Sequence, residues 1–284
     1  MSNRFTLKLF FGLSLFVAAM LGVGAWRHQD DLGAFALSLI AVASLGYLLF
    51  KDKDSPVFLD VWRPILQDKV QFYKELTVGE KMVFEHRIAL FLSTIEVTGV
   101  DFEMDDECRV LVAASSVIPF WDLPQWEYGR LQEVLVYSGN FDENYRVGED
   151  SRILGMVGSG GHMDRVMLLS KKALYYGFDN KTNKSHVGFH EFAHLLDKSD
   201  GEVDGIPELF LPKEKVNPWT KLVHKEMQKI RENESDIDPY GATSDSEFFA
   251  VISEYYFKRP HLLERKHADL FKMLQLIYHP QNLA

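Results

Sequence analysis

The stretch VGFHEFAHLLD at residues 187–197 constrains the fold of this chain more than any other segment. In a helix, residues four positions apart lie on the same face, so His190 and His194 would both point an imidazole nitrogen at one ion. Glu191 would project to the side, where it can reach a water molecule without binding the metal itself. Because Phe192 and its neighbours are apolar, we predict a buried helix whose polar side chains hold a catalytic metal ion.

A catalytic zinc ion usually has three protein ligands, and the residues just after this helix are poor candidates for the third. In the extended pattern HExxHxxGxxH, a glycine and a histidine would occupy the positions of Asp197 and Asp200. Without the glycine the chain lacks the sharp helix exit that would bring position 200 back to the ion. Asp197 is interpreted as an acceptor that fixes a histidine tautomer, or as an exposed acid at the helix end.

A second acidic helix is predicted downstream, within DPYGATSDSEFFAVISEYYFKRP at residues 238–260. Ser and Thr offer N-caps, and the apolar run ends before Pro260. Glu247 and Glu254 are seven residues apart, so they share a face but lie roughly 10 Å apart along the axis. Only one of them can bind the ion, and Glu247 is the more accessible. The spacing alone leaves both open, and Glu247 could instead complete a capping box with Ser244.

Together, GFHEFAHLLD and YGATSDSEFFAVISEYYF resemble the Mlc titration factor A family of zinc-dependent peptidases, a gluzincin-like group. The second segment is also similar to its counterpart in anthrax lethal factor. The resemblance covers most of residues 60–284. It implies one zinc ion bound by His190, His194 and Glu247, with Glu191 as the general base. It also implies that Tyr240, seven residues before Glu247, donates a hydrogen bond in the transition state.

The remaining sequence predicts an α+β fold, a mainly helical zincin-like metallopeptidase domain with a small β-sheet, over residues 55–284. Apolar residues at intervals of three and four predict helices in DVWRPILQDKVQFYKEL and GEKMVFEHRIALFLSTIEV. Three apolar, β-branched segments predict strands, namely CRVLVAASSVIPF, RLQEVLVYS and RVMLLSKKALYYGF.

Two uncharged runs, at residues 9–26 and 32–50, predict a transmembrane helical hairpin over residues 1–54. Each run would reach roughly 27–33 Å as a helix, close to the thickness of a bilayer core. A cleaved secretory signal is less favoured, because no A-x-A-like site follows the first run. Cations flank both outer ends, so we expect a multi-pass protein of the bacterial inner membrane with its catalytic domain in the cytoplasm.

Charge and cysteine content narrow the function further. The first 53 residues carry a net charge of +2 within a total of −10, so the remaining chain is strongly acidic and gives no electrostatic case for nucleic acid. The single cysteine, Cys108, excludes an internal disulfide framework. We expect a membrane-anchored zinc peptidase that hydrolyses peptide or protein substrates. The alternative is a zinc-binding regulatory module that sequesters a protein partner, such as a transcriptional regulator, at the membrane.

Overall fold

The computed structural model describes residues 56–123, 126–148, 151–158 and 160–280. The helices are α1 (Arg63–Lys69), α2 (Gln71–Glu75), α3 (Val78–Thr94), α4 (Asp106–Val117), α5 (Lys171–Asp179), α6 (Val187–Asp197), α7 (Lys213–Arg231), α8 (Asp245–Lys258), α9 (Pro260–Lys266) and α10 (Ala268–Tyr278). The strands are β1 (Glu96–Val100), β2 (Glu133–Tyr137), β3 (Gly155–Val157) and β4 (Val166–Ser170). Short 3-10 turns span Asp60–Trp62, Gly161–Arg165, Lys198–Asp200 and Pro239–Ala242.

One small mixed sheet runs in the order β1-β2-β4-β3. β1, β2 and β4 are parallel, with Val97 opposite Val134 and Val134 opposite Met167. β3 pairs with β4 in the antiparallel direction and forms an edge of the sheet. Parallel strands need a crossover connection, and α4 supplies the one between β1 and β2. The predicted α+β class, mainly helical with a small sheet, is confirmed.

The predicted strand at 108–120 is wrong, because most of that segment belongs to α4. Asp105 caps the helix by accepting a hydrogen bond from the backbone N–H of Cys108 at 2.7 Å. Every residue from Val110 to Val117 is buried, so this part of the helix has no exposed polar face and shows no helical periodicity. A short apolar run of this kind cannot be distinguished from a buried strand by its pattern. The segment at 165–178 is likewise half strand, β4, and half helix, α5.

Helices α6 and α8 pack against each other and carry the two acidic motifs found in the sequence. α8 begins at Asp245 after the N-cap Ser244, and Phe248 to Tyr256 are all buried. On its other side α6 approaches α4 closely, since a Cβ on Gly188 would lie 2.4 Å from the Oγ of Ser115. The glycine at position 188 therefore allows the backbone of α6 to pack directly against α4.

The predicted localisation requires a correction. Among the helices of the described residues, none is long and apolar enough to cross a membrane, so a multi-pass inner-membrane protein is not supported. The longest of them, α7, has 19 residues but carries several lysines along its exposed side. The two uncharged runs at 9–26 and 32–50, and the hairpin predicted over 1–54, lie outside the described residues.

Candidate metal centre

The two histidines of α6 converge on one point beside α8. His190 and His194 are one turn apart, and their Nε2 atoms are separated by 3.2 Å. Both side chains are largely buried, with 12% exposure each. The helix starts at the N-cap His186, whose Nδ1 accepts a hydrogen bond from the backbone N–H of Phe189. The structure thus brings together the pair that the HExxH spacing predicts.

Glu247 reaches the same point from the first turn of α8. Its Oε2 lies 3.0 Å from Nε2 of His190 and 3.5 Å from Nε2 of His194. Its backbone N–H donates to Oγ of Ser244, so Ser244 is an N-cap. The carboxylate of Glu247 is directed at the histidines instead of completing a capping box. Burial would raise the pKa of Glu247, but the two imidazoles outweigh it and hold that pKa well below its usual range.

The spacing of these three donor atoms fits a metal ion. They lie 3.0, 3.2 and 3.5 Å apart, and each residue offers one ligand atom. For a tetrahedral ion with bonds of about 2.0–2.1 Å, adjacent ligand atoms would be roughly 3.3 Å apart. Three protein ligands leave one position of such an ion open, as in catalytic rather than structural sites. His190, His194 and Glu247 are therefore able to hold one metal ion.

Glu254, the other acidic candidate of α8, binds the opposite nitrogen of the same histidine. Its Oε1 lies 2.8 Å from Nδ1 of His190, and its Oε2 accepts a hydrogen bond from the backbone N–H of His186. A proton on Nδ1 that is donated to Glu254 leaves the Nε2 lone pair of His190 free to face an ion. Glu254 is only 7% exposed. Sequence reasoning treated it as a rival ligand and missed this orienting position.

Negative charge is concentrated around His190. Burial alone would lower the pKa of His190, but hydrogen bonds to Glu247 and Glu254 hold it well above its usual range. Glu191 contributes a third carboxylate nearby. Three carboxylates around two imidazoles are an excess of negative charge that a divalent cation would largely offset. The charge of the donor groups and the spacing of the donor atoms thus both favour a bound divalent cation.

Glu191 lies buried between α6 and the edge strand β3. Its carboxylate makes no hydrogen bond to another described residue, and it is 4% exposed. A Cβ on Gly155 of β3 would lie 2.4 Å from Oε1 of Glu191, so a side chain at this position would displace the carboxylate. Burial raises the pKa of Glu191, although the neighbouring histidines oppose that shift. A carboxylate with a raised pKa is a better proton acceptor.

Tyr240 lies at the mouth of the centre, on the 3-10 turn Pro239–Ala242. Its ring centroid is 6.0 Å from that of His190, and the residue is 53% exposed. The turn is capped by Asp238, whose side chain accepts a hydrogen bond from the backbone N–H of Tyr240. Burial and then the negative charge of Glu247 raise the pKa of Tyr240 to about 12. The phenol therefore keeps its proton at neutral pH and can donate it in a hydrogen bond.

The two aspartates after the HExxH motif lie away from the donor set. Asp200 is exposed, and its Oδ1 accepts a hydrogen bond from the backbone N–H of Glu202. Asp197 is fully buried, so it is not an exposed acid at the helix end. Its Oδ2 accepts a hydrogen bond from the backbone N–H of Gly205 at 2.9 Å. It makes no hydrogen bond to His194, whose Nδ1 has no partner among the described residues.

Comparison with known proteins agrees with the resemblance seen in the sequence. A protein of Synechocystis sp., named only as uncharacterised, is 31% identical over 228 residues, which cover 76% of this chain and 82% of that protein. Mlc titration factor A of Pectobacterium atrosepticum is 32% identical over 164 residues, 54% of this chain and 60% of that protein. Mlc titration factor A of Escherichia coli O9:H4 is 27% identical over 225 residues, 72% of this chain and 77% of that protein. The family model described as glucose-regulated metallo-peptidase M90 matches residues 51–279, and the chain belongs to this family.

Proposed function

We propose that residues 55–284 form a zinc-dependent peptidase domain that hydrolyses peptide bonds. One observation supports this proposal above all others. The donor atoms of His190, His194 and Glu247 have the spacing of an open tetrahedral site. Glu191 lies beside them with a carboxylate that no described residue engages. A structural site would close its fourth position with protein and would leave Glu191 without a role.

The reaction divides among the residues of this centre. Zinc held by the three ligands would polarise a carbonyl group and lower the pKa of water. Glu191 would accept the proton of the attacking water and deliver it to the leaving amine. Tyr240 would donate a hydrogen bond to the oxygen on which negative charge develops, an interaction formed in the transition state. Glu254 would hold His190 in the tautomer that keeps its Nε2 available.

The edge strand β3 favours an extended peptide as the substrate. Leu154 and Gly158 at its two ends bond to β4, through Ser170 at 2.7 Å and Val166 at 3.0 Å. Backbone groups alternate in direction along a strand, so those of Gly155 and Val157 face away from β4. An extended peptide can pair with such a free edge through main-chain hydrogen bonds. Because Gly155 lies against Glu191, a bond of that peptide would come close to the proposed base.

The proposal is tested by peptidase turnover on a mixed peptide library, with zinc content measured on the same samples. We expect Glu191→Gln to retain one zinc ion per chain and to lose turnover, because only the proton acceptor is removed. Glu264→Gln is the matched control, since Glu264 is exposed on α9. Glu247→Gln should lower zinc occupancy as well as turnover. Full turnover in Glu191→Gln would exclude the proposed chemistry.

A second candidate function is the binding of a protein partner, which the name of two relatives favours. Both are called Mlc titration factor A, a name that refers to a factor called Mlc. If this chain acts by titrating a regulatory protein, binding should not require proton transfer by Glu191. A partner captured equally by the wild type and by Glu191→Gln, together with absent turnover in both, would favour titration over hydrolysis.

A further inference from the structure

A cavity of about 510 Å³ lies behind the metal centre, where the N-terminus of α6 meets the C-terminus of α8. Volumes of this order accommodate small organic molecules. Its lining includes aromatic rings and five charged side chains. Among the rings are those of Phe72, Trp121, Phe178, Phe189, Phe257 and Phe271, and the charged residues are Lys69, Lys181, Lys258, Glu75 and Asp122. Rings of this kind offer flat apolar faces to an occupant. The proposed catalytic residues Glu191 and Tyr240 do not line this cavity.

Lys258 brings a positive charge to the cavity without a carboxylate partner. Its Nζ donates hydrogen bonds to the backbone carbonyls of Gly177 and Asn180, and it forms no ion pair within the described residues. Burial lowers the pKa of Lys258 to about 8, so the ammonium form still prevails at pH 7. A partly buried cation bonded only to neutral oxygens is stabilised by an anion from outside the protein.

His186 adds a hydrogen-bond donor to the same wall. It lines the cavity, is 2% exposed, and its Nδ1 accepts a hydrogen bond from the backbone N–H of Phe189. Burial holds the pKa of His186 well below its usual range, so the ring is neutral and its proton resides on Nε2. That Nε2 has no partner among the described residues. A buried donor without an acceptor is costly, so an oxygen of an occupant that reached this nitrogen would be a favourable partner.

We propose that this cavity binds a small organic carboxylate with a flat apolar body, and that its occupancy regulates the metal centre. The ammonium of Lys258 and the imidazole N–H of His186 would bind the carboxylate, and the aromatic walls would cover the apolar body. The carboxylate of the occupant would pair with Lys258, the partly buried lysine of the lining that forms no ion pair among the described residues. Lys69 is paired with Asp179, and Lys181, which also forms no ion pair there, is exposed.

The route from the cavity to the metal centre is short. The backbone N–H of His186 donates to Oε2 of Glu254, and Oε1 of Glu254 lies 2.8 Å from Nδ1 of the proposed ligand His190. Lys258 lies one helical turn beyond Glu254 on α8. An occupant that moves His186 or Lys258 would therefore change the position of the carboxylate that orients His190. This regulatory part rests on the proposed metal-dependent function.

Binding is tested by calorimetry on the zinc-loaded full chain, with indole-3-acetate as the probe and indole-3-acetamide as its neutral counterpart. We expect saturable binding of the acid with a Kd below about 1 mM, and binding of the amide at least about tenfold weaker. Lys258→Met should weaken binding of the acid by about tenfold or more. Lys272→Met, which alters an exposed lysine outside the cavity, should not. Absence of binding, equal affinity for the amide, or full affinity in Lys258→Met would overturn the site.

Regulation is tested by the zinc dissociation constant, measured against a competing chelator with and without saturating indole-3-acetate. Coupling between two sites is reciprocal, so we expect zinc affinity to change by about fivefold or more, and probe affinity to change equally when zinc is removed. Zinc affinity that is unchanged by bound probe would overturn the regulatory part. Neither measurement uses peptidase turnover, so absent turnover would count against the proposed function and not against this site.

Discussion

Replacing Glu254 by glutamine tests how the metal centre is oriented. Both carboxylate oxygens of Glu254 accept hydrogen bonds, one facing Nδ1 of His190 at 2.8 Å and the other facing the backbone N–H of His186. Glutamine keeps the shape but offers only one acceptor oxygen, and its NH₂ group must face one of the two donors. Either the tautomer of His190 is no longer fixed, or the N–H of His186 is left opposite another donor.

The expected loss of zinc affinity or of folding stability depends on which of the two donors no longer has an acceptor. Removing the partner that orients a metal-binding histidine typically weakens metal affinity by 10- to 100-fold, which is about 1.4–2.8 kcal/mol. Leaving a buried donor unsatisfied costs roughly 1–3 kcal/mol of folding free energy. For a domain of this size, each 1 kcal/mol lowers the melting temperature by about 2–4 °C. We expect Glu254→Gln to show both effects, and Glu247→Gln to show mainly the loss of zinc.

The assay is zinc titration against a chelator of known affinity, with thermal unfolding of the metal-free protein measured in parallel. Glu264→Gln, at an exposed position of α9, controls for the loss of a negative charge. Zinc affinity within twofold of the wild type in Glu254→Gln would refute the orienting role. Complete loss of zinc in that variant, with zinc retained in Glu247→Gln, would show that Glu254 is the ligand.

Three further results are expected. Tyr240→Phe should lower kcat by about 10²–10³ without changing zinc content, because one transition-state donor is lost; an unchanged kcat would remove Tyr240 from the mechanism. Gly155→Ala should lower kcat and leave zinc bound, because a methyl group 2.4 Å from Oε1 of Glu191 displaces the base. A variant as active as the wild type would contradict the role of Glu191 as a positioned base. The pKa of Lys258 is lowered to about 8 in the folded protein, so the unfolded chain takes up the proton first as pH falls. The free energy of unfolding of the wild type, relative to that of Lys258→Met, should therefore increase as the pH is raised from about 8 to 10.5. Urea titrations in which this difference does not change with pH would contradict the prediction.

The sequence predicted best where a pattern has a single physical interpretation. The HExxH spacing placed His190 and His194 on one helical face, and α6 spans that segment. Caps and a closing proline bounded the second helix, and α8 runs from Asp245 to Lys258. Prediction failed for segments that are buried on all sides, because such segments show no periodicity that separates a helix from a strand. Helix α4 was therefore predicted as a strand, and the edge strand β3 was too short to stand out.

Side-chain roles in the candidate site were harder to predict. Glu247 and Glu254 are seven residues apart on one helix, and spacing alone could not reveal that they contact different nitrogens of His190. An orienting acceptor for each metal-binding histidine is expected on general grounds, and Asp197 was a candidate for it. That aspartate bonds to Gly205 instead, since the loop after α6 folds back onto it. Such contacts depend on tertiary packing that no local pattern encodes.

The central claim is that one zinc ion is bound by two imidazoles and one carboxylate, with one position open. X-ray absorption at the zinc edge, on zinc-loaded wild type and on Glu247→Ala, tests this most directly. We predict two imidazole nitrogens and two oxygen ligands at about 2.0–2.1 Å in the wild type, one oxygen coming from Glu247 and one from solvent. An unchanged spectrum in Glu247→Ala, or four ligands all supplied by protein, would contradict the account.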